Sequence, residues 1–145
     1  MKRLRVGEWV TGGSAVALFV FLFLDWFGGA SGWSSLGWAA VLFCVLAIAV
    51  GLGLPLVGAT TNSPVLPVVF AICATLLGFL AVVALLVQVI AQPGPDELVA
   101  VQAGWWLGLL AGIGITLGGW ASMKQESTPG ARDRPIDVRP APPVA

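Results

Sequence analysis

The sequence predicts an all-α fold, an integral membrane four-helix bundle with its N and C termini cytoplasmic. Three observations carry that expectation. The chain of 145 residues is 58% hydrophobic and only 10% charged, against about 25% charged in an ordinary soluble domain, and its mean hydropathy is +0.96. Between Val10 and Ser122 the only charged residues are Asp25, Asp96 and Glu97. They separate apolar runs long enough to cross a hydrocarbon core, which takes roughly 20 helical residues. The zero net charge hides a segregation: all 7 basic residues, Lys2, Arg3, Arg5, Lys124, Arg132, Arg134 and Arg139, lie in the two termini. Lys/Arg excess marks cytoplasmic segments, so both ends are expected inside. One domain over residues 1–123, with spans at about 8–26, 36–54, 65–91 and 102–122, and a disordered cytoplasmic tail over 124–145 follow from this pattern.

The first span begins after the basic arm MKRLR and is expected to run from Glu8 to Trp26. Trp9 and Trp26 are then about 26 Å apart along it, which suits the two interfacial aromatic belts. The same start, with Gly28 and Ala30 beyond an apolar run, also suits a cleavable signal peptide, although tryptophan and phenylalanine at 26 and 27 make an awkward cleavage region. The glycines and serines of WFGGASGWSSLGW read as turns. The second span, from Leu36, is expected to stop at Pro55. It carries Gly37, Ala40, Cys44, Ala47 and Gly51, a seam of small residues that lets a partner helix approach closely.

PLVGATTNSP reads as a cytoplasmic loop, although it holds no basic residue. The third span repeats the seam with Ala71, Ala74, Gly78 and Ala81, so the second and third spans are expected to pair as one antiparallel hairpin. At about 40 Å of helix it should tilt or project beyond the hydrocarbon core. The prolines and glycine of QPGPDELVAVQ break it. In the fourth span Gly104, Gly108 and Gly112 recur at every fourth residue, a packing stripe of the kind that brings two membrane helices together. With the seams of the second and third spans directed at each other, this stripe is expected to meet the first span through Gly13 and Ala17, or to meet another subunit. Beyond it, five of the 10 prolines and almost no large apolar residue leave the tail too little surface to bury to offset the entropy of ordering.

RVGEWVTGGSAVALFVFLFLDWFG and GWWLGLLAGIGITLGGWASMKQE, the first and fourth spans, resemble those of uncharacterised small four-span integral membrane proteins of high-GC Gram-positive bacteria. The resemblance implies a bacterial plasma membrane location and no particular activity.

Titratable chemistry is sparse. There is no histidine, and the 2 cysteines form no CxxC pair, so neither a metal nor another cofactor is expected. Cys44 and Cys73 lie at depths roughly 8 Å apart in antiparallel spans, too far to bridge undistorted. A proton-coupled exporter needs an acid or equivalent relay in mid-membrane, and none is present. GIGITLGG does not match a phosphate-binding glycine pattern. Asp25 reads as an interfacial end marker, with ion coupling or partner pairing as the alternative, and Glu8 as an inner interfacial acid neutralised by Arg3 and Arg5. Trp26, Trp33, Trp38, Trp105 and Trp106 fall on the outer side. They form either an aromatic belt or, with Asp25, a candidate outer-face binding patch for a lipid, a quinone or a partner helix.

The expected function is that of a non-catalytic accessory, scaffold or assembly subunit whose helix-packing residues are Gly37, Ala40, Ala47, Gly51, Ala74, Gly78, Gly104, Gly108 and Gly112. The expected partners are the lipid bilayer and a membrane protein or second copy, not nucleic acid. The alternative is a small transporter or lipid- or quinone-handling protein using Asp25 and the outer tryptophans.

Overall fold

A computed structural model describes residues 4–61, 65–91 and 102–127. In chain order it has α1 (Val6–Phe21), a hairpin of β1 (Asp25–Phe27) and β2 (Ala30–Ser31), a single-turn α2 (Gly32–Ser35), and the long helices α3 (Trp38–Thr60), α4 (Val65–Ile90) and α5 (Ala103–Ser127). The chain is mostly helical. Among the described residues, Trp38–Thr60, Val65–Ile90 and Ala103–Gln125 are long and apolar enough to cross a membrane, while Val6–Phe21 is apolar but shorter.

The first span therefore ends at Phe21 and not at Trp26. At its start the Glu8 carboxylate accepts the backbone N–H of Arg5 at 3.0 Å, the third helical residue reaching back to the cap. At its end Phe23 and Leu24 donate their N–H groups to the carbonyls of Val20 and Phe21, each at 3.1 Å, a tightening of the last turn that takes up orphan carbonyls. Gly28 and Gly29 have φ of 56° and 84°, so a two-residue turn with both φ positive reverses the chain into β2, as hairpin geometry favours. Asp25 pairs with Ser31 and Phe27 with Ala30. Trp26 is left over as a bulge, a device that re-aims a side chain.

The second span also departs from expectation. It does not stop at Pro55, which lies inside α3. The proline ring is turned toward α1, where a Cβ on Gly12 would come within 2.9 Å of Pro55 Cγ. One lost backbone bond there is tolerable where neighbouring helices enclose the segment. Gly37 lies outside the helix as its N-cap. The fourth span runs past its expected end through Ser127 and so takes in the first residues of the expected tail, with Lys124 Nζ 4.3 Å from the Trp120 ring centroid. Residues 128–145, the loop acids Asp96 and Glu97, residues 62–64, and Lys2 and Arg3 lie outside the described residues.

The four longer helices close a ring in which α1 packs on α3 and α5, and α4 packs on the same two. Contacts at the glycines establish direction. Gly7 meets Ser122 and Gly118 meets Thr11; Gly12 meets Pro55 and Gly51 meets Ala15; Gly53 meets Phe70 and Gly37 meets Gln88; Gly78 meets Thr116 and Gly119 meets Thr75. In every pair rising numbers on one helix match falling numbers on the other, so neighbours are antiparallel. The core between them is lined by Ala15, Ala40, Ala47, Ala74 and Ala81, with Leu18, Leu85 and Ile115 filling the wider levels. Small residues bring the backbones near enough for dispersion to hold helices together where the surroundings are as apolar as the side chains.

Candidate functional site

The glycines of α5 do two different things. Gly104 and Gly108 form, with Gly32 of α2, a slot for one indole. A Cβ on Gly104 would lie 2.5 Å from the Asp25 carbonyl oxygen and 2.7 Å from Trp26 Cδ1; one on Gly32 would lie 2.9 Å from Trp26 Cε2; and one on Gly108 would overlap Trp26 Cη2. Trp26 is 0% exposed. Its Nε1–H donates to the Phe21 carbonyl at 2.6 Å, so the indole caps the C-terminus of α1 as well as filling the slot. The Gln102 N–H donates to the Trp26 carbonyl at 3.0 Å, tying the start of α5 to the hairpin. Antiparallel pairing places Phe21 near the level of Gly108, roughly one turn short of the first residue of α5. Trp26 occupies the place of that missing turn.

Lower on α5 the glycines meet helices. Gly118 faces the backbone N of Thr11, 2.7 Å from its would-be Cβ, and the Gly7 carbonyl, at 3.0 Å. Gly114 faces the Ser14 hydroxyl, Gly112 faces Val82 of α4, and Gly119 faces Thr75 and the Ala71 carbonyl. The stripe of Gly104, Gly108 and Gly112 thus turns from Trp26 toward α4, while Gly114 and Gly118 face α1. Gly13, an expected receiver, has nothing within 4 Å of a would-be Cβ, and Ala17 is only partly buried. The residues of α1 that do receive α5 are Gly7, Thr11 and Ser14, because helical spacing puts 7, 11 and 14 on one face and 13 on another.

The seams of α3 and α4 are buried at Ala40, Ala47, Gly51, Ala74 and Gly78, but they are not turned only on each other. The close partner of Gly51 is Ala15 of α1, and those of Gly78 are Thr116 and Ile115 of α5. The two helices meet through Gly53 against Phe70, and beside Gly37, whose would-be Cβ lies 3.7 Å from Gln88 Oε1. In a closed ring each helix has two neighbours, so a seam facing the axis serves both.

The expected outer-face set divides. Trp26 and Trp105 are buried, the Trp105 Nε1–H pointing at the Leu85 carbonyl at 3.4 Å, whereas Trp33, Trp38 and Trp106 are exposed. Trp106 stands edge-on to Trp105, with centroids 4.8 Å apart. The tryptophan that is exposed on the hairpin side, Trp33, is instead joined by phenylalanines: Phe19 to Phe23 at 5.4 Å and Phe23 to Trp33 at 5.8 Å, both edge-to-face. Asp25 is exposed on β1. No family model matches the chain, and neither a curated protein nor a solved structure resembles it significantly.

At the opposite end the structure adds a polar group of residues with no motif to announce it. Glu8 is buried, 8% exposed, against α3, where a Cβ on Gly58 would lie 2.7 Å from Glu8 Oε1. Thr11 Oγ1–H donates to the Gly7 carbonyl at 2.8 Å, and the Ser122 hydroxyl is buried without a hydrogen-bond partner beside Gly7. The glycine at 58 makes room for the carboxylate. Among the described residues no group of three His, Cys, Asp or Glu could hold a metal ion, and the bonds of Glu8 to the Arg5 N–H and of Thr11 to the Gly7 carbonyl are local to the start of α1. Glu8→Ala should lower stability by about 1 kcal/mol, the usual worth of an N-terminal cap interaction, in detergent unfolding followed by circular dichroism. Glu8→Gln, which keeps an acceptor, should lose less; equal losses would remove the capping role.

Proposed function

We propose that this chain is a non-catalytic, multi-pass protein of a bacterial plasma membrane: a four-helix bundle with both termini cytoplasmic that serves as an accessory, scaffold or assembly subunit. The observation that carries the reading is where the chain spends its polar and small residues. α3 and α4 contain no charged residue, and the glycines hold the helices to one another. The described acids lie near helix ends, Glu8 buried as a cap at the start of α1, Asp25 exposed on the hairpin beyond its end and Glu126 in the last turn of α5. Such an arrangement has no relay of titratable groups through its middle, which coupled transport needs. It is suited to presenting a rigid outer surface.

Because α1, α4 and the hairpin occupy the α5 stripe, a partner helix would meet an outward face instead. On α1 that face carries Val6, Val10, Gly13 and Val16. Co-purification in a mild detergent should retain a specific partner. Asp25→Asn should leave that complex intact, and vesicles containing only this protein should show no solute flux. A flux lost in Asp25→Asn would replace this reading with the transporter or lipid-handling one. A reporter fused after Ala145 should be active only in its cytoplasmic form, and strong periplasmic activity would refute the orientation.

A further inference from the structure

We propose that residues 22–37, of which only 27–35 were expected to form a loop between spans, are embedded in the lipid of the leaflet at the tryptophan-bearing end, with Phe19, Phe23 and Trp33 against acyl chains. This rests on the membrane-spanning reading of the long helices. At 16 residues α1 is about 24 Å long, whereas α3, α4 and α5 at 23, 26 and 25 residues are about 35–39 Å. The short helix leaves a gap in the ring at one end, and the hairpin and α2 occupy it. Trp26 lies between the levels of Gly104 and Gly108, inside the span of α5 and not beyond its end. The segment is at the depth of its neighbours' last turns.

Two features fit lipid and not water. The surface that the segment presents is continuous with the apolar faces of the helices: Phe23 is 62% exposed, and the edge-to-face ladder from Phe19 through Phe23 to Trp33 runs directly from α1 onto α2. In addition, polar groups that a solvated loop would leave to water are paired inside it. The Gly32 N–H donates to the Leu24 carbonyl and the Leu36 N–H to the Gly32 carbonyl; Ser34 and Ser35 both donate their hydroxyls to the Ser31 carbonyl, at 3.1 and 2.8 Å; and the Trp26 indole donates to Phe21. Non-helical backbone at membrane depth is tolerated only where it is buried in protein or lines a water-filled cavity. Here it fills the gap that α1 leaves in the ring, with Leu22, Trp26, Phe27 and Leu36 buried. Asp25, the one charge, is exposed on the hairpin and can reach the hydrated headgroups.

The test uses the full chain in vesicles of phosphatidylethanolamine and phosphatidylglycerol, with Cys44→Ala and Cys73→Ala and a nitroxide label on Phe23→Cys or Trp33→Cys. Collision with oxygen should dominate over collision with a soluble nickel chelate at both sites, as at Leu110→Cys on the exposed face of α5, and opposite to Lys124→Cys. If positions 23 and 33 behave like 124 while 110 remains lipid-facing, this proposal fails and the spanning reading stands. If 110 is also open to nickel, both fail. Protection from both reagents at 23 and 33 would mean a protein partner and would also overturn the proposal. Independently of the cysteine background, Trp33→Phe should lower the fraction of tryptophan emission quenched by chain-brominated lipids; an unchanged or higher fraction would place Trp33 outside the lipid.

Discussion

Gly118→Val should lower stability by about 3 kcal/mol or more, at or beyond the upper range for overpacking. The reason is the kind of atom in the way. A Cβ at 118 would lie 2.7 Å from the Thr11 backbone N and 3.0 Å from the Gly7 carbonyl, and one at Gly7 would lie 2.7 Å from the Ser122 backbone N and 2.9 Å from the Gly118 carbonyl. No rotamer change relieves a backbone contact, so α1 and α5 must separate along their common length. Even Gly118→Ala should destabilise, although helix propensity in water favours alanine over glycine by about 1 kcal/mol. The sign decides: unfolding in mixed micelles of mild detergent and dodecyl sulfate, followed by circular dichroism, would contradict the tight crossing if Gly118→Ala were neutral or stabilising.

Gly108→Leu should cost about 2–3 kcal/mol by a different route, because its obstacle is a side chain. Removing the indole alone, in Trp26→Ala, should cost about 3 kcal/mol through the cavity left between Gly32, Gly104 and Gly108, and the Phe21 carbonyl would keep only the Leu24 N–H of its two donors. The double variant should lose less than the sum, since leucine at 108 enters space the indole vacates, with a coupling of about 1–3 kcal/mol. Gly13→Leu is the control, expected within about 0.5 kcal/mol of the parent because nothing lies near its would-be Cβ. Strict additivity of the changes at 26 and 108 would show that the slot does not seat the indole. A large loss at 13 would show instead that its outward face is covered.

The long helices were legible because their signal is one-dimensional. α3 and α4 are apolar at nearly every position, so length and composition alone identify them, and their ends erred mainly where a proline was expected to stop the chain. Pro55 does not, because Gly12 of another helix accommodates its ring. The end of α1 was not legible for a related reason. Nothing in FLFLDWFGG forbids five more helical residues; the helix stops where Trp26 finds a slot built from Gly32 of α2 and, far away in the chain, Gly104 and Gly108 of α5.

The small-residue positions show the same division. Their spacing marked Gly37, Ala40, Ala47, Gly51, Ala74, Gly78, Gly104, Gly108 and Gly112 as places where something comes close, and all but Gly37, which is exposed as the N-cap of α3, are buried. What comes close could not be read from spacing, since a row of glycines is equally suited to a backbone, an indole or a hydroxyl. The same holds for the tryptophans, of which Trp26 and Trp105 turned inward and Trp33, Trp38 and Trp106 outward with no difference in local pattern to tell them apart. Glu8 was expected as an interfacial acid beside Arg5; spacing alone could not show that its carboxylate is also covered by α3, where Gly58 leaves room.

By itself, then, the sequence determined that this is a helical chain of four apolar segments, with charge confined to their ends and glycines placed for close contact, because composition and periodicity are properties of each segment alone. In the structure three of the four form helices long enough to cross a membrane. Tertiary structure decided which helix meets which glycine, that α1 ends one turn early, and that Trp26 stands in for the missing turn. Those outcomes depend on the volume left between elements distant in the chain, and volume is defined only when the helices are together.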